Sequence, residues 1–147
     1  MAALSDYLEN KVIDWLLRGQ AYTPPSTVYV ALFTVADNDA GTGRTEVSGG
    51  SYARVAVASS LTNWAGTQSA ASTVASTGSS ATTTNNNTVT FPAPTAAWGS
   101  VVAMGVFDAA SGGNELFYTT LAQAKTINSG DAAPSFAPGT LSFVLDN

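Results

Sequence analysis

Apolar residues fall at two different spacings along this chain. Leu4, Leu8, Val12 and Leu16 lie four apart, with Tyr7 and Trp15 beside them, which is the spacing of one helix face. The pattern predicts a helix over 4–18. Ser5 is placed to cap it, Asp6 and Glu9 sit near the positive end of its dipole, and Asp14 and Arg18 form an i, i+4 pair ahead of the stop at Gly19. The face has two uses: covering the domain's own sheet, which is the commoner arrangement, or docking on a partner subunit.

After residue 20 the spacing changes. Tyr22-Thr23-Pro24-Pro25 reads as a stiff extended connector. Thr27–Val35 and Val101–Phe107 are apolar on both faces, as expected of central strands covered on two sides. Tyr52–Ala58, Thr88–Phe91, Glu115–Leu121, Ala124–Ile127 and Thr140–Leu145 read as further strands. Ser111-Gly112-Gly113-Asn114 is a turn that makes Val101–Leu121 a hairpin. Asp37–Gly50 reads as a long loop. Residues 59–87 are rich in Ser, Thr, Ala and Asn and read as an exposed loop or weak edge hairpin, with Leu61, Trp64 and Val74 its few anchors. The tally is seven or eight strands and one helix. It predicts a mainly β protein, an antiparallel β-sandwich or jelly-roll-like domain with one N-terminal α-helix. The expected organisation is a single domain over 1–147, with the helix in 1–20 and the β domain in 21–147.

Composition sharpens this picture. There is no histidine and no cysteine, and charged residues make up 10% against about 25% in ordinary soluble domains. Without histidine the usual general base and the commonest metal ligand are missing, and without cysteine no disulfide can form. Such a chain reads as a surface for contact before it reads as an enzyme. Charge depletion also suits large interfaces. The five basic residues, Lys11, Arg18, Arg44, Arg54 and Lys125, are scattered, so neither nucleic acid nor an anionic membrane is an expected partner. No apolar run approaches the roughly 20 residues of a membrane span. The N-terminus lacks the basic start of a signal peptide, so synthesis in a cytoplasm is expected.

The candidate chemical sites are weak. Asp37, Asp39 and Glu46 could offer oxygen ligands to Ca²⁺, but their offsets do not fit an EF-hand and a solvated acidic turn is the plainer reading. Asp108 and Glu115 bracket a turn and are expected to be exposed and hydrated, without the raised pKa of a general acid. Ser and Thr are abundant, but a hydroxyl nucleophile needs a base. Trp64 and Trp98 are more readily packing residues than a sugar platform. No cofactor is expected.

Three blocks carry a resemblance. They are Leu4-Ser5-Asp6-Tyr7-Leu8-Glu9-Asn10 with the Pro24-Pro25 connector and Val28–Thr34; Thr45–Arg54; and Trp98-Gly99, Gly105–Asn114 and Lys125–Asp131. Together they resemble a family of small tailed-bacteriophage virion structural proteins. Members are often labelled tail fibre proteins, and relatives look like capsid decoration (cement) proteins. The resemblance implies no catalytic residue. It implies a virion location after synthesis in the host bacterium, with the major capsid protein and further copies of the chain as partners in a homo-oligomer such as a trimer. The function expected first is a head decoration protein that bridges coat subunits; the alternative is a tail-fibre or tail-tip module that binds a host receptor or glycan. Tyr7, Val12, Trp15, Leu16, Tyr52, Arg54, Trp64 and Trp98 are the candidate interaction or packing residues. Arg54 is expected to pair with Glu46 or with a neighbouring subunit.

Overall fold

The computed structural model describes residues 3–145. Its elements run β1 (Ala3–Leu4), α1 (Asp6–Leu17), β2 (Thr27–Val35), β3 (Thr45–Glu46), β4 (Val55–Ala58), β5 (Thr82–Thr84), β6 (Val89–Thr90), β7 (Gly99–Phe107), β8 (Glu115–Ile127), β9 (Ser135–Phe136) and β10 (Ser142–Val144). The protein is mainly β, antiparallel, with its helix at the N-terminus, consistent with a β-sandwich.

The main sheet has six strands in the order β1-β8-β7-β2, with β3 and β4 sharing the far edge of β2. β4 pairs with Thr27–Val30, and β3 pairs near Phe33 and Val35. β2 and β7 lie at the centre, as their two-sided apolar character predicts. Val30, Leu32, Met104 and Val106 face the larger core, which the β5–β10 and β6–β9 pairs close with Val89, Phe91, Leu141 and Phe143. Ala31, Phe33, Ala103 and Phe107 form a smaller cluster on the opposite face.

Ser5 caps α1 as expected. Its hydroxyl accepts from the Leu8 N–H at 3.4 Å and donates to the Glu115 carbonyl, so the cap also ties the helix to β8. Leu4 belongs to β1, not to the helix, because its backbone pairs with Phe117. Asp14 and Arg18 pair at 2.8 Å, and Gly19 turns the chain at φ 69°.

Other boundaries move for identifiable reasons. The strand expected over Tyr52–Ala58 begins at Val55, since Tyr52 and Arg54 use their side chains to bind across the loop. The Asp37–Gly50 loop contains the short β3. Glu115–Leu121 and Ala124–Ile127 are one strand, β8, interrupted by a large bulge. Val101 faces Lys125 while Ala103 faces Thr120, so β7 advances two residues where β8 advances five. Leu145 is exposed while Leu141 and Phe143 are buried.

The Ser/Thr/Asn-rich stretch 59–87 is mostly exposed, but its end is built into the fold. Asn85 is 1% exposed. Its amide donates to the carbonyls of Asn87 (2.8 Å) and Ala137 (2.9 Å), and its Oδ1 accepts from the Leu141 N–H (2.9 Å). One side chain thereby joins three backbone segments. Trp64 anchors the stretch against Phe143, whereas Leu61 and Val74 stay exposed. Asn85→Ala leaves the Asn87 carbonyl and the Leu141 N–H without these partners, while the Ala137 carbonyl keeps the N–H and hydroxyl of Thr140. It is expected to lower stability by about 2–4 kcal/mol, read from urea unfolding curves.

Candidate functional site

Two charge clusters cover the smaller core. The Arg54 guanidinium lies 3.6 Å from the Phe107 ring centroid and that of Arg44 lies 4.9 Å away. Arg54 grips Glu46 with two bonds, Nε to Oε1 at 2.8 Å and Nη2 to Oε2 at 2.7 Å. Its Nη1 donates to the carbonyls of Ala109 (2.8 Å) and Gly112 (2.9 Å). Positive φ at Gly112 (59°) and Gly113 (70°) shapes the turn that presents these carbonyls. Arg54 therefore pairs with Glu46, the first of the two expected partners, from a position just ahead of β4.

Arg44 Nη1 reaches Asp37 (2.6 Å), the Gly41 carbonyl (2.7 Å) and Glu115 (3.2 Å). Asp37 Oδ1 also accepts the N–H groups of Asn38, Gly43 and Arg44. Burial works to raise the Asp37 pKa, but hydrogen bonds from Glu115, Arg44 and the loop backbone hold it at about 2. Glu115 moves the other way. Burial first, then the hydrogen bond and charge of Asp37, push it up to about 9.

This corrects the expectation that Glu115 is exposed. The residue is 4% exposed, and Phe33 and Gly105 wall in its Oε1. Burial follows from the register shift between Val106 and Phe107, which places Glu115 opposite Phe107. Asp108 alone stays at the turn, accepting from the Asn114 backbone and side chain. The two carboxylates therefore do not work as a pair. The Glu115 carboxyl lies inside the fold beside Gly105, bonded to Arg44 and away from the turn.

The three carboxylates weighed against a Ca²⁺ site are also dispersed. Asp37 is held by Arg44 and Glu46 by Arg54, while Asp39 lies with Asp6 and Glu9 in an exposed acidic group.

The aromatic candidates are placed in packing positions. Trp98 is buried and its Nε1 donates to the Gly50 carbonyl at 3.0 Å. The Tyr52 ring stacks on Phe91 and meets the edge of Trp98 at 5.3 Å; its hydroxyl donates to Glu46 and accepts from the Leu32 N–H. Trp64 is half-buried beside Phe143. Tyr7 and Val12 pack partly against the larger core.

Trp15 and Leu16 have a different environment. Only Leu8 of α1 is buried. Toward the C-terminal end, Ile13 is 49% exposed, Trp15 56%, Leu16 62% and Leu17 81%. The helix thus covers its own domain with its first turns and leaves its last turn unpartnered. Ile13, Leu16 and Leu17 share a face by their i, i+3, i+4 spacing.

Beside α1 the second layer of the sandwich is open. An inner cavity of about 200 Å³ is lined by Val28, Trp64, Thr83, Val106, Phe117 and Phe143. It shares Val28 and Phe117 with an outer cavity of about 430 Å³, bordered by Leu8, Tyr22, Pro24 and Pro25 among others. The two make one slot between the helix and the β5–β10 pair, floored by the main sheet.

Two apolar cores, ion pairs locked around a ring and one N-terminal helix make up a small antiparallel protein consistent with a β-sandwich. A family model described as podophage GP4 fiber I protein gp80 matches residues 3–144. The chain belongs to that family and is a bacteriophage virion structural protein. A search of curated proteins finds none that matches.

Proposed function

We propose that this chain is a non-catalytic fibre subunit of a podophage-type virion, held in place through the exposed end of α1. The observation that carries the reading is that Ile13, Leu16 and Leu17 share one helix face and are left open to solvent together, with Trp15 exposed on the other side of the same turn, whereas the other exposed large apolar residues, Val35, Leu61, Val74 and Leu145, lie far apart along the chain. Contiguous apolar patches of a few hundred Å² mark interaction sites. The family's description as a fibre protein supports the tail-fibre reading over the head-decoration reading expected first. Absence of histidine and sequestration of Glu115 support a role without turnover.

Decoration of the head is the second reading. A sequence without repeats or coiled-coil heptads favours it, because a shell protein needs area more than length. Copy number separates the two. Quantitative staining of purified virions is expected to show the few copies of a fibre, and hundreds of copies would establish the decoration reading instead. Leu16→Lys with Leu17→Lys is expected to abolish incorporation, scored by immunoblot of virions grown with only the variant. Lysine keeps helix propensity and suits the C-terminal end of the dipole, so loss of incorporation reports lost contact. Normal incorporation would overturn the assignment of α1.

A further inference from the structure

We infer that β1 and α1 are exchanged between copies: the segment Ala3–Leu17 of one chain sits on β8 of the next, and the copies close into a homo-oligomer. The exchange goes beyond the proposed attachment of α1 in the virion and does not require it.

The seat is fully described, because the exchanged contacts are those the chain makes with itself. Ala3 and Leu4 pair with Tyr118 and Phe117. The Ser5 N–H donates to the Leu116 carbonyl at 3.1 Å, and the Ser5 hydroxyl donates to the Glu115 carbonyl. The Asp6 N–H donates to the Asp39 carbonyl at 3.1 Å. Leu8 is the buried residue of the helix. These holds are gathered in residues 3–8, and the backbone that receives them belongs to 39 and 115–118. A unit fastened by one end is seated equally well on its own body or on a neighbour's.

The connector after α1 permits both. Among the described residues, none from Ala21 to Pro25 makes a hydrogen bond, and Gln20, Ala21, Thr23 and Pro24 are exposed. Tyr22 packs partly against the larger core. The two prolines fix their own φ and hold Thr23 and Pro24 in extended backbone. A stiff extended segment closes a tight loop poorly and spans a gap well. At the extended rise of a proline-rich linker, residues 20–26 reach roughly 20 Å.

Exchange conserves the contacts of the closed chain, which makes it a low-cost route to an oligomer. The last helical turn tips the balance. Leu16 is 62% exposed and Leu17 81%, and Leu17 stands two residues ahead of Gly19, where the chain turns into the connector. In an exchanged pair the connector is the stretch that passes from one body to the next. The apolar turn beside it then lies at a junction of two bodies and loses exposure that the closed chain cannot remove. Each chain gives one β1–α1 unit and receives one, so growth stops when the last seat is filled.

The absence of cysteine allows a direct test. Ala3 and Tyr118 lie opposite each other in the β1–β8 pair, and opposed Cα atoms of an antiparallel pair are about 4.5–5.5 Å apart, inside disulfide range. Light scattering of the wild type at micromolar concentration is expected to return a whole-number multiple of the chain mass. Ala3→Cys/Tyr118→Cys, oxidised in that state, is expected to run on a non-reducing denaturing gel as covalent oligomers of the same number of chains. A monomeric wild type overturns the exchange, and so does a double variant whose disulfide closes within one chain and runs as a monomer. Leu4→Cys/Phe117→Cys, the adjoining pair in the same register, gives the same two readings if Tyr118→Cys does not fold. The proposed role of α1 is scored separately. If exchange fails while Leu16→Lys/Leu17→Lys is still excluded from virions, α1 remains an assembly surface with another partner. If cross-linked oligomers form and the lysine variant enters virions normally, exchange stands and the role of the helix end falls.

Discussion

Arg54→Ala is expected to destabilise the protein by about 3–5 kcal/mol, the cost of breaking a buried ion pair by removing one member. Few single changes here should cost more. The Arg54 side chain is 5% exposed and its Glu46 partner 27%, so the pair lies well below the surface regime in which ion pairs contribute little. Truncation leaves the Glu46 carboxylate with only the Tyr52 hydroxyl among its present side-chain partners. It also frees the carbonyls of Ala109 and Gly112 and uncovers one face of Phe107. Arg54→Lys is expected to recover only part of the loss, because an ammonium cannot grip both carboxylate oxygens while covering a ring. Urea unfolding reads both variants. A loss below about 1 kcal/mol for Arg54→Ala would place the pair with ordinary surface bridges and contradict its burial.

The second large effect is on pH dependence, and it centres on Glu115. Its pKa is about 9 in the folded protein against an ordinary value of 4.5. The folded state therefore holds a proton that the unfolded chain releases. The stability from this group is complete below pH 4.5 and is lost progressively as pH rises through 9. Asp37 works in the opposite sense. Its folded value of about 2 lies below the ordinary 3.8, so its contribution is complete above 3.8 and is lost as pH falls through 2. The two carboxylates together place the stability maximum near pH 4–5. With no histidine in the chain, no side chain of ordinary pKa competes between pH 5 and 8. Melting temperature is expected to fall between pH 5 and 9 by more than about 5 °C, a shift worth one to a few kcal/mol at this size. Glu115→Gln, which mimics the protonated acid, should flatten most of that decline. A wild-type profile level from pH 5 to 9 would show that Glu115 ionises normally.

Neither group announces itself in the sequence. Glu115 looks like an ordinary acid at the end of a glycine-rich turn. Its burial depends on a register shift at Phe107 and on an arginine 71 positions away, and local patterning encodes neither. Asn85 is similar. It stands in a run of threonines and asparagines whose composition signals a loop, yet it bonds to Ala137 and Leu141, more than fifty residues on. By contrast, β2 and β7 are legible because both their faces are apolar, and Ser5 because its cap is local. The helix is legible in the four-residue spacing of Leu8, Val12 and Leu16. Its division into an inner part anchored by Leu8 and an outer part ending at Leu17 is not legible, since that depends on where the sheet ends beneath it. The slot is invisible for the same reason: Val28, Trp64 and Phe143 are far apart in sequence and meet only through the pairing of β5 with β10.

The bulge in β8 bears on how such a subunit assembles. Among the described residues, β1 covers the outer edge of β8 only near Phe117 and Tyr118, so the backbone from Thr119 to Lys125 borders the sheet without a neighbour. A flat border of that length would recruit strands from any passing copy. The added residues between Thr120 and Lys125 bend it out of plane, and Lys125 puts a charge on it. Runaway stacking of sheets in a crowded infected cell is thereby discouraged, and growth of the assembly is left to surfaces that can terminate.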